Sequence, residues 1–230
     1  MRLRHRTVFG LAVLSVFIGL AFTLTYGQPS VQDKDRKKNS TNDPASATNG
    51  RPVMWEEPTD LESRDLFYGP GGREGAPDPG GKFTFVRRST SGTSEKIVVD
   101  DDKGRSWLVK FGAECRSETT ATRIIWAVGY HADQDYFVKR THIEGRGGFD
   151  IWDVRFERRD DGHKEIGPWP WSANPFNGTK ELDGLKVLMA LINNWDLKDE
   201  NNKVIQPDKE SKRDRSERRY YVADLGGTLG

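Results

Sequence analysis

Cysteine is nearly missing from this chain: Cys115 is the only one in 230 residues. No intrachain disulfide is possible, so stability has to come from packing. No cysteine closes the N-terminal apolar run either, which excludes the simplest lipoprotein anchor. Charge of one sign is lacking too, since 36 basic and 35 acidic side chains leave a net charge of +1. A balance of that kind provides no broad field to steer the chain to nucleic acid. Histidine is scarce, and His131, His142 and His163 have no metal-ligand spacing between them. Hydrophobic residues make up 34% of the chain, little for its length, and long apolar runs are confined to one place.

That place is the N-terminus. Arg2, Arg4, His5 and Arg6 precede an uncharged run from Thr7 to Gln32 whose apolar heart is residues 8–24. A basic end followed by an apolar stretch and the small residues Thr25 and Gly27 reads as an export signal over 1–27, cleaved after Gly27. The competing reading is an uncleaved anchor, with residues 8–24 just long enough to span a bilayer. Either way the basic end stays cytoplasmic, and the rest of the chain is exported: secreted, periplasmic or lumenal, or held at the membrane. Residues 28–51 carry a single branched aliphatic residue and read as a disordered tether. Asn39-Ser-Thr and Asn177-Gly-Thr match the glycosylation acceptor pattern.

The remaining residues, 52–230, hold enough aromatic and aliphatic side chains for one domain of the α+β class. A short helix is expected within 54–70, packing Trp55, Leu61, Leu66 and Phe67, followed by a Gly- and Pro-rich loop over 68–81. Strand patterns occupy 82–87, 96–99 and 106–111, the last two joined by a turn at 100–104. A helix over 114–128 ends at Gly129. Alternation then marks strands at 136–140 and 148–158. The spacing of Leu182, Leu185, Met189 and Ile192 predicts a buried helix over 180–194, capped by Thr179. Residues 208–219 are almost all charged and read as a solvated excursion before a short strand, 220–223.

The buried helix runs straight into NNWDLKDENN, residues 193–202, where Asp196, Lys198 and Asn201 stand as D-x-K-x-x-N. Read locally, this is a polar helix end whose asparagines cap the last carbonyls. The same residues resemble the catalytic loop of the protein-kinase-like superfamily, H-R-D-L-K-x-x-N. Asp224-Leu225-Gly226 resembles the D-F-G metal motif, and Leu108-Val109-Lys110 in the third predicted strand resembles V-A-I-K. No one of these outweighs its ordinary structural reading. Their order along the chain, strand lysine, helix glutamate, D-x-K-x-x-N loop and D-x-G turn, is what makes the resemblance.

The resemblance, which covers about 82–230, implies a two-lobed fold with an antiparallel sheet plus helix in the N-lobe and a helical C-lobe. It implies ATP and Mg2+ or Mn2+ as cofactors, and a protein or small-molecule hydroxyl as phosphate acceptor. Asp196 would orient or deprotonate that hydroxyl and Lys198 meet the transferring phosphate. Asn201 and Asp224 would hold the metal. Lys110 would clamp the nucleotide phosphates, with Glu118 as its ion-pair partner in preference to Glu114 at the first turn. The hairpin at 89–94 takes the place of the nucleotide-covering loop, with Ser91 and Gly92 as its phosphate contacts.

Several features set the chain apart from ordinary protein kinases. Asn194-Trp195 stands where the family has His-Arg, and Gly92 is the hairpin's single glycine. The lysine-to-glutamate step is only eight positions. Six residues follow Asp224, so the resemblance implies an incomplete C-lobe. These departures point to the atypical branch, similar to secretory-pathway, HipA-type and phosphatidylinositol kinases. They also support an alternative, a non-catalytic pseudokinase-like binding module. A β-rich hydrolase is the third reading, and the many Asp and Glu pairs single out no catalytic pair for it.

Overall fold

The computed structural model describes residues 50–90, 92, 94–159, 163–207 and 216–230. The expected signal at 1–27, the tether up to residue 49 and Ser91 lie outside the described residues. Among the described residues no helix is long and apolar enough to cross a membrane.

The fold is mixed α+β, with two sheets. Five strands, β2 (Phe83–Ser89), β3 (Lys96–Asp101), β4 (Ser106–Lys110), β5 (Asp135–Glu144) and β6 (Phe149–Arg159), form a closed barrel in the order β2-β3-β4-β6-β5. Four of the pairings are antiparallel. The fifth, Phe83 with Ile143 and Thr84 with Glu144, is parallel and closes the ring. Closure is not evident in the sequence, which reads as an open antiparallel sheet. Two features bring it about: β5 and β6 are long enough to extend past β4, and β2 is bulged between Phe85 and Arg87, which bends it toward β5. Phe83, Ile97, Val99, Trp107, Val109, Tyr136, Val138, Val154 and Phe156 fill the interior.

Because side chains alternate along a strand, the neighbours of those residues face outward. On β3, β4 and β6 the outward set includes Val98, Leu108, Lys110, Arg155 and Glu157, and these five are buried, while Asp100 and Arg159 at the strands' far end are exposed. The barrel's outer wall is therefore covered around these five residues. Helix α2 (Cys115–Ala127) provides part of the cover, turning Glu118, Thr122 and Ile125 to the inside at helical spacing. It ends where expected, because Gly129 at φ +99° approaches Glu56 too closely to admit a Cβ.

The second sheet runs β1-β9-β8-β7, with β1 (Arg51–Val53) parallel to β9 (Glu217–Val222) and β8 (Asn202–Pro207) antiparallel to both β9 and β7 (His163–Gly167). Helix α3 (Lys180–Leu191) packs Leu182, Leu185, Leu188 and Met189 on it, joined by Ile192, Val204, Tyr220, Val222, Trp169 and Phe176. Thr179 caps α3, its Oγ1 accepting from Leu182 N at 3.3 Å. Ala121 and Ile125 of α2 belong to this core as well.

Several expectations need correction. Residues 54–70 hold a 3-10 turn at Leu61–Ser63 and another at Gly69–Gly71 rather than a packed helix, and Leu61, Leu66 and Phe67 are exposed. Asp65 accounts for the difference: its Oδ1 accepts from Phe67 N and Tyr68 N, a turn that competes with helix. The Gly- and Pro-rich loop contains a single helical turn, α1 (Gly72–Gly75). The C-terminal lobe, expected to be helical, is among the described residues one α-helix on a four-stranded sheet. Arg51 belongs to β1 rather than to the tether. Glu217, Arg218 and Arg219 are buried in β9, where Arg219 Nη2 donates to Glu217 at 2.8 Å and Glu56 at 3.2 Å; the excursion's centre, 208–215, lies outside the described residues.

Candidate functional site

Lys110 ends β4 on the barrel's outer face, with 1% of its surface exposed. An ammonium so deeply buried is stable only among anions. Its Nζ lies 3.0 Å from Glu118 Oε2, 3.0 Å from Asp224 Oδ1 and 3.3 Å from Glu114 Oε2. Burial pulls the Lys110 pKa down, but Glu118 and Asp224 more than offset it and hold the group well above its usual range. Glu118 is buried and Glu114 is half exposed, so Glu118 is the principal partner of the two.

Asp224 follows β9 in a left-handed conformation, φ 47° and ψ 56°, uncommon for a residue with a side chain. Burial raises its pKa, the Lys110 hydrogen bond and charge lower it further than that, and the carboxylate rests below its ordinary value. The turn after it presses on α2. A Cβ on Gly226 would stand 2.5 Å from Glu114 Oε2, and Ser117 Oγ donates to the Gly226 carbonyl at 3.4 Å. Glycine at 226 is therefore what lets the D-x-G turn reach the Lys110 cluster.

The crowded stretch after α3 is tied to the same turn. Asn193 takes the left-handed conformation that ends a helix, with φ 53°, and Asn194 N donates to Met189 O at 2.9 Å. Asn194 is buried, and its Oδ1 accepts from Asp196 N at 3.1 Å. Asn201 Nδ2 donates to Asp196 O at 2.9 Å, and its own carbonyl accepts from Ala223 N at 2.8 Å, the residue before Asp224. Trp195 N donates to Gly227 O at 3.3 Å and Leu229 N to Ile192 O at 2.9 Å. Capping and loop anchoring thus share these polar groups. Within the loop, Asp196 Oδ1 pairs with Lys198 Nζ at 2.8 Å, and the two side chains are partly exposed and exposed respectively.

Gly92, exposed with φ +71°, sits in the β2-β3 hairpin. Ser89 pairs with Lys96 and Lys96 with Lys110, so the last rung of the hairpin lies at the Lys110 end of the barrel. The fold thus brings together Lys110, Glu118 and Asp224 directly, and Asp196, Lys198 and Asn201 on the loop bonded to the same turn.

Sequence reasoning missed a buried ion network behind this cluster. Arg155 Nη1 donates to Glu118 Oε1 at 2.6 Å and Asp135 Oδ2 at 3.1 Å, while Nη2 donates to Glu157 Oε2 at 2.9 Å. Lys203 of β8 then meets Glu157 Oε1 at 3.7 Å and Asp133 Oδ1 at 2.6 Å. Asp133, Glu157 and Lys203 line a cleft of about 690 Å3 that also admits Val98, His131 and Tyr221. Burial, reinforced by neighbouring carboxylates against the pull of Arg155, pushes Asp135 up to about 7. Glu157 is lowered to about 2, because Lys203 and Arg155 overcome its burial.

Among the described residues no three His, Cys, Asp or Glu side chains are grouped to hold a metal by themselves. Asp224 and Asn201 do provide hard oxygen donors on neighbouring backbone. That donor set suits an ion that keeps water and takes further oxygens from a phosphate ligand, as Mg2+ does. Comparison of the chain with family models, with curated proteins and with solved structures returns no match.

Proposed function

We propose that this protein binds Mg-ATP, or its Mn2+ counterpart, and transfers the γ-phosphoryl group to a hydroxyl on a protein or small molecule, using a two-lobed kinase-like arrangement. The observation that carries the reading is the meeting of Lys110 with both Glu118 and Asp224 at 3.0 Å, although Lys110 and Asp224 lie 114 positions apart. Supporting it, the lysine is on the third strand of the barrel, the glutamate is on the helix after that strand, and the D-x-K-x-x-N loop is bonded to the D-x-G turn.

In this reading Lys110 holds the nucleotide phosphates, and Asp224 with the side-chain oxygen of Asn201 holds the metal. The metal, when bound, screens the phosphate charge and favours departure of ADP. Asp196 orients the acceptor hydroxyl and takes its proton as the new O–P bond forms and the bond to the β-phosphate oxygen breaks. Lys198, now paired with Asp196, turns to the transferring phosphoryl group. Gly92 and Ser91 of the β2-β3 hairpin take the part of phosphate contacts in this reading.

Calorimetric titration of the full chain with ATP, with and without Mg2+, compared with Asp224→Ala, is the test. We expect magnesium-dependent binding in the wild type and its loss in the variant; equal binding in both, or none in either, removes the nucleotide site. The second reading is a binding module without transfer, favoured by the Asp196–Lys198 pair, which occupies both loop groups with each other. Wild-type transfer of labelled γ-phosphate that disappears in Asp196→Ala excludes it, whereas magnesium-dependent binding with no transfer in the wild type selects it.

A further inference from the structure

Lys110 and Arg155 are cross-strand partners on β4 and β6, so two buried cations stand side by side on one face of the barrel. Like charges placed opposite each other on neighbouring strands repel. Glu118 removes the conflict by lying between them, Oε2 on Lys110 at 3.0 Å and Oε1 on Arg155 at 2.6 Å. Both carboxylate oxygens are thereby committed, which fixes the plane of the group as well as its position. A carboxylate held by Lys110 alone would be free to turn about its last bond. Lys110, with Glu114 Oε2 only 3.3 Å away, would then have an exposed alternative partner.

Arg155 is itself held from three sides. Asp135 of β5 and Glu157 of β6 accept from its two terminal nitrogens, while Glu118 of α2 takes the remaining contact. Thr122 Oγ1 fixes Asp135 in turn, donating to its Oδ2 at 3.0 Å. A guanidinium fork meets three carboxylates in this way because its donors are coplanar and divergent; a lysine ammonium in the same place has neither the reach nor the geometry. Arg155 and Glu118 themselves are buried from solvent.

We propose that Arg155 is a positioning residue for the phosphate clamp: by gripping the far oxygen of Glu118 it sets the carboxylate that holds Lys110 in line with Asp224. This rests on the reading of Lys110 as the group that meets nucleotide phosphate. Arg155 touches no ligand itself, and its whole effect on binding passes through Glu118.

The test is a double-mutant cycle on the full chain, with Mg-ATP affinity measured by calorimetry for the wild type, Arg155→Lys, Glu118→Gln and the double variant. Loss of an outer partner of this kind weakens ligand binding by about 10-fold or more. We expect about a 10-fold loss for Arg155→Lys in the wild-type background, and less than about a 3-fold further loss when it is added to Glu118→Gln. A merely structural arginine would instead weaken both backgrounds by the same factor, and that result overturns the proposal, as does wild-type affinity in Arg155→Lys. Should Arg155→Lys melt below the assay temperature, the pair Arg155→Met with Glu157→Gln, which removes one charge of each sign, takes its place in the cycle. No Mg-ATP binding by the wild type brings down the nucleotide reading and this proposal with it, whereas wild-type binding with an additive cycle brings down this proposal alone.

Discussion

Replacing Asp135 by asparagine separates the energetics of the buried network from any question of ligand. Asp135 Oδ2 accepts from Thr122 and Arg155, while its Oδ1 is buried without a hydrogen-bond partner. Around it stand Arg155 and Glu157 of β6, Glu118 and Arg123 of α2, and Asp133 just before β5; Arg123 reaches only its backbone carbonyl. Acids outnumber bases in that set, and burial adds to the imbalance, so the carboxyl holds its proton up to about pH 7 rather than 3.8. The folded protein therefore binds a proton that the unfolded chain releases between pH 3.8 and 7. Stability conferred by this group is complete below pH 3.8, falls as pH rises through that window, and is gone above about 7. At about 1.36 kcal/mol per pH unit, the total is on the order of 4 kcal/mol. Glu157 acts oppositely but elsewhere, losing its contribution only as pH falls from 4.5 toward 2. Asparagine copies the protonated form, accepting from Thr122 and Arg155 through its oxygen. Urea unfolding at pH 5, 6, 7 and 8 should therefore show Asp135→Asn gaining on the wild type by about 3 kcal/mol between pH 5 and pH 7, from an advantage of about 1–2 kcal/mol at pH 5, with no further gain at pH 8. The difference between the two proteins cancels histidine titration common to both. Parallel curves across that range, or a variant weaker than wild type at pH 8, would refute the assignment.

Two further substitutions test packing at the site's supports. Gly226→Ala places a methyl group against Glu114 and should cost about 1–3 kcal/mol by urea unfolding; adding Glu114→Ala should return most of that loss, and an unrelieved double variant would mean the strain lies in the backbone. Leu185→Ala empties a fully buried position between α3 and the second sheet and should cost about 2–5 kcal/mol, so a change under about 1 kcal/mol in the same assay would deny α3 its place in the core.

The parts of the site legible in the sequence share one property: each announces itself through its immediate neighbours. Thr179 and the Leu182, Leu185, Met189 spacing give α3; Lys110 closes an apolar strand run; Glu118 falls on the inner face of a helix with clear ends. Asp224 comes after YYVA and precedes glycines. Arg155 and Glu157 carry no such mark. In GFDIWDVRFER they alternate with Val154 and Phe156, and a period of two states only that they occupy the opposite face from the barrel core, which on most sheets is the wet one. Whether that face is covered depends on α2 and β8 arriving from elsewhere in the chain, and β8 itself hides behind the turn-like residues Asn202, Gln206 and Pro207.

Covering that face also explains why its charges had to come as a set. Lys110, Arg155 and Lys203 come from three strands, and none is tolerable in a dry layer alone. Each carboxylate between them is shared, Glu118 by Lys110 and Arg155, Glu157 by Arg155 and Lys203. Removing one member therefore leaves its neighbour half paired and passes the cost along the layer. Asp224 is the exception, half exposed and bound to the layer through Oδ1 on Lys110 Nζ. Of Lys110's two closest partners it is the one that water reaches, so on the proposed reading it is the one that would give way to a phosphate ligand and its cation. A network closed around Arg155 and open at Asp224 is what the proposal requires, because it would hold the Lys110 ammonium ready while leaving its last partner replaceable.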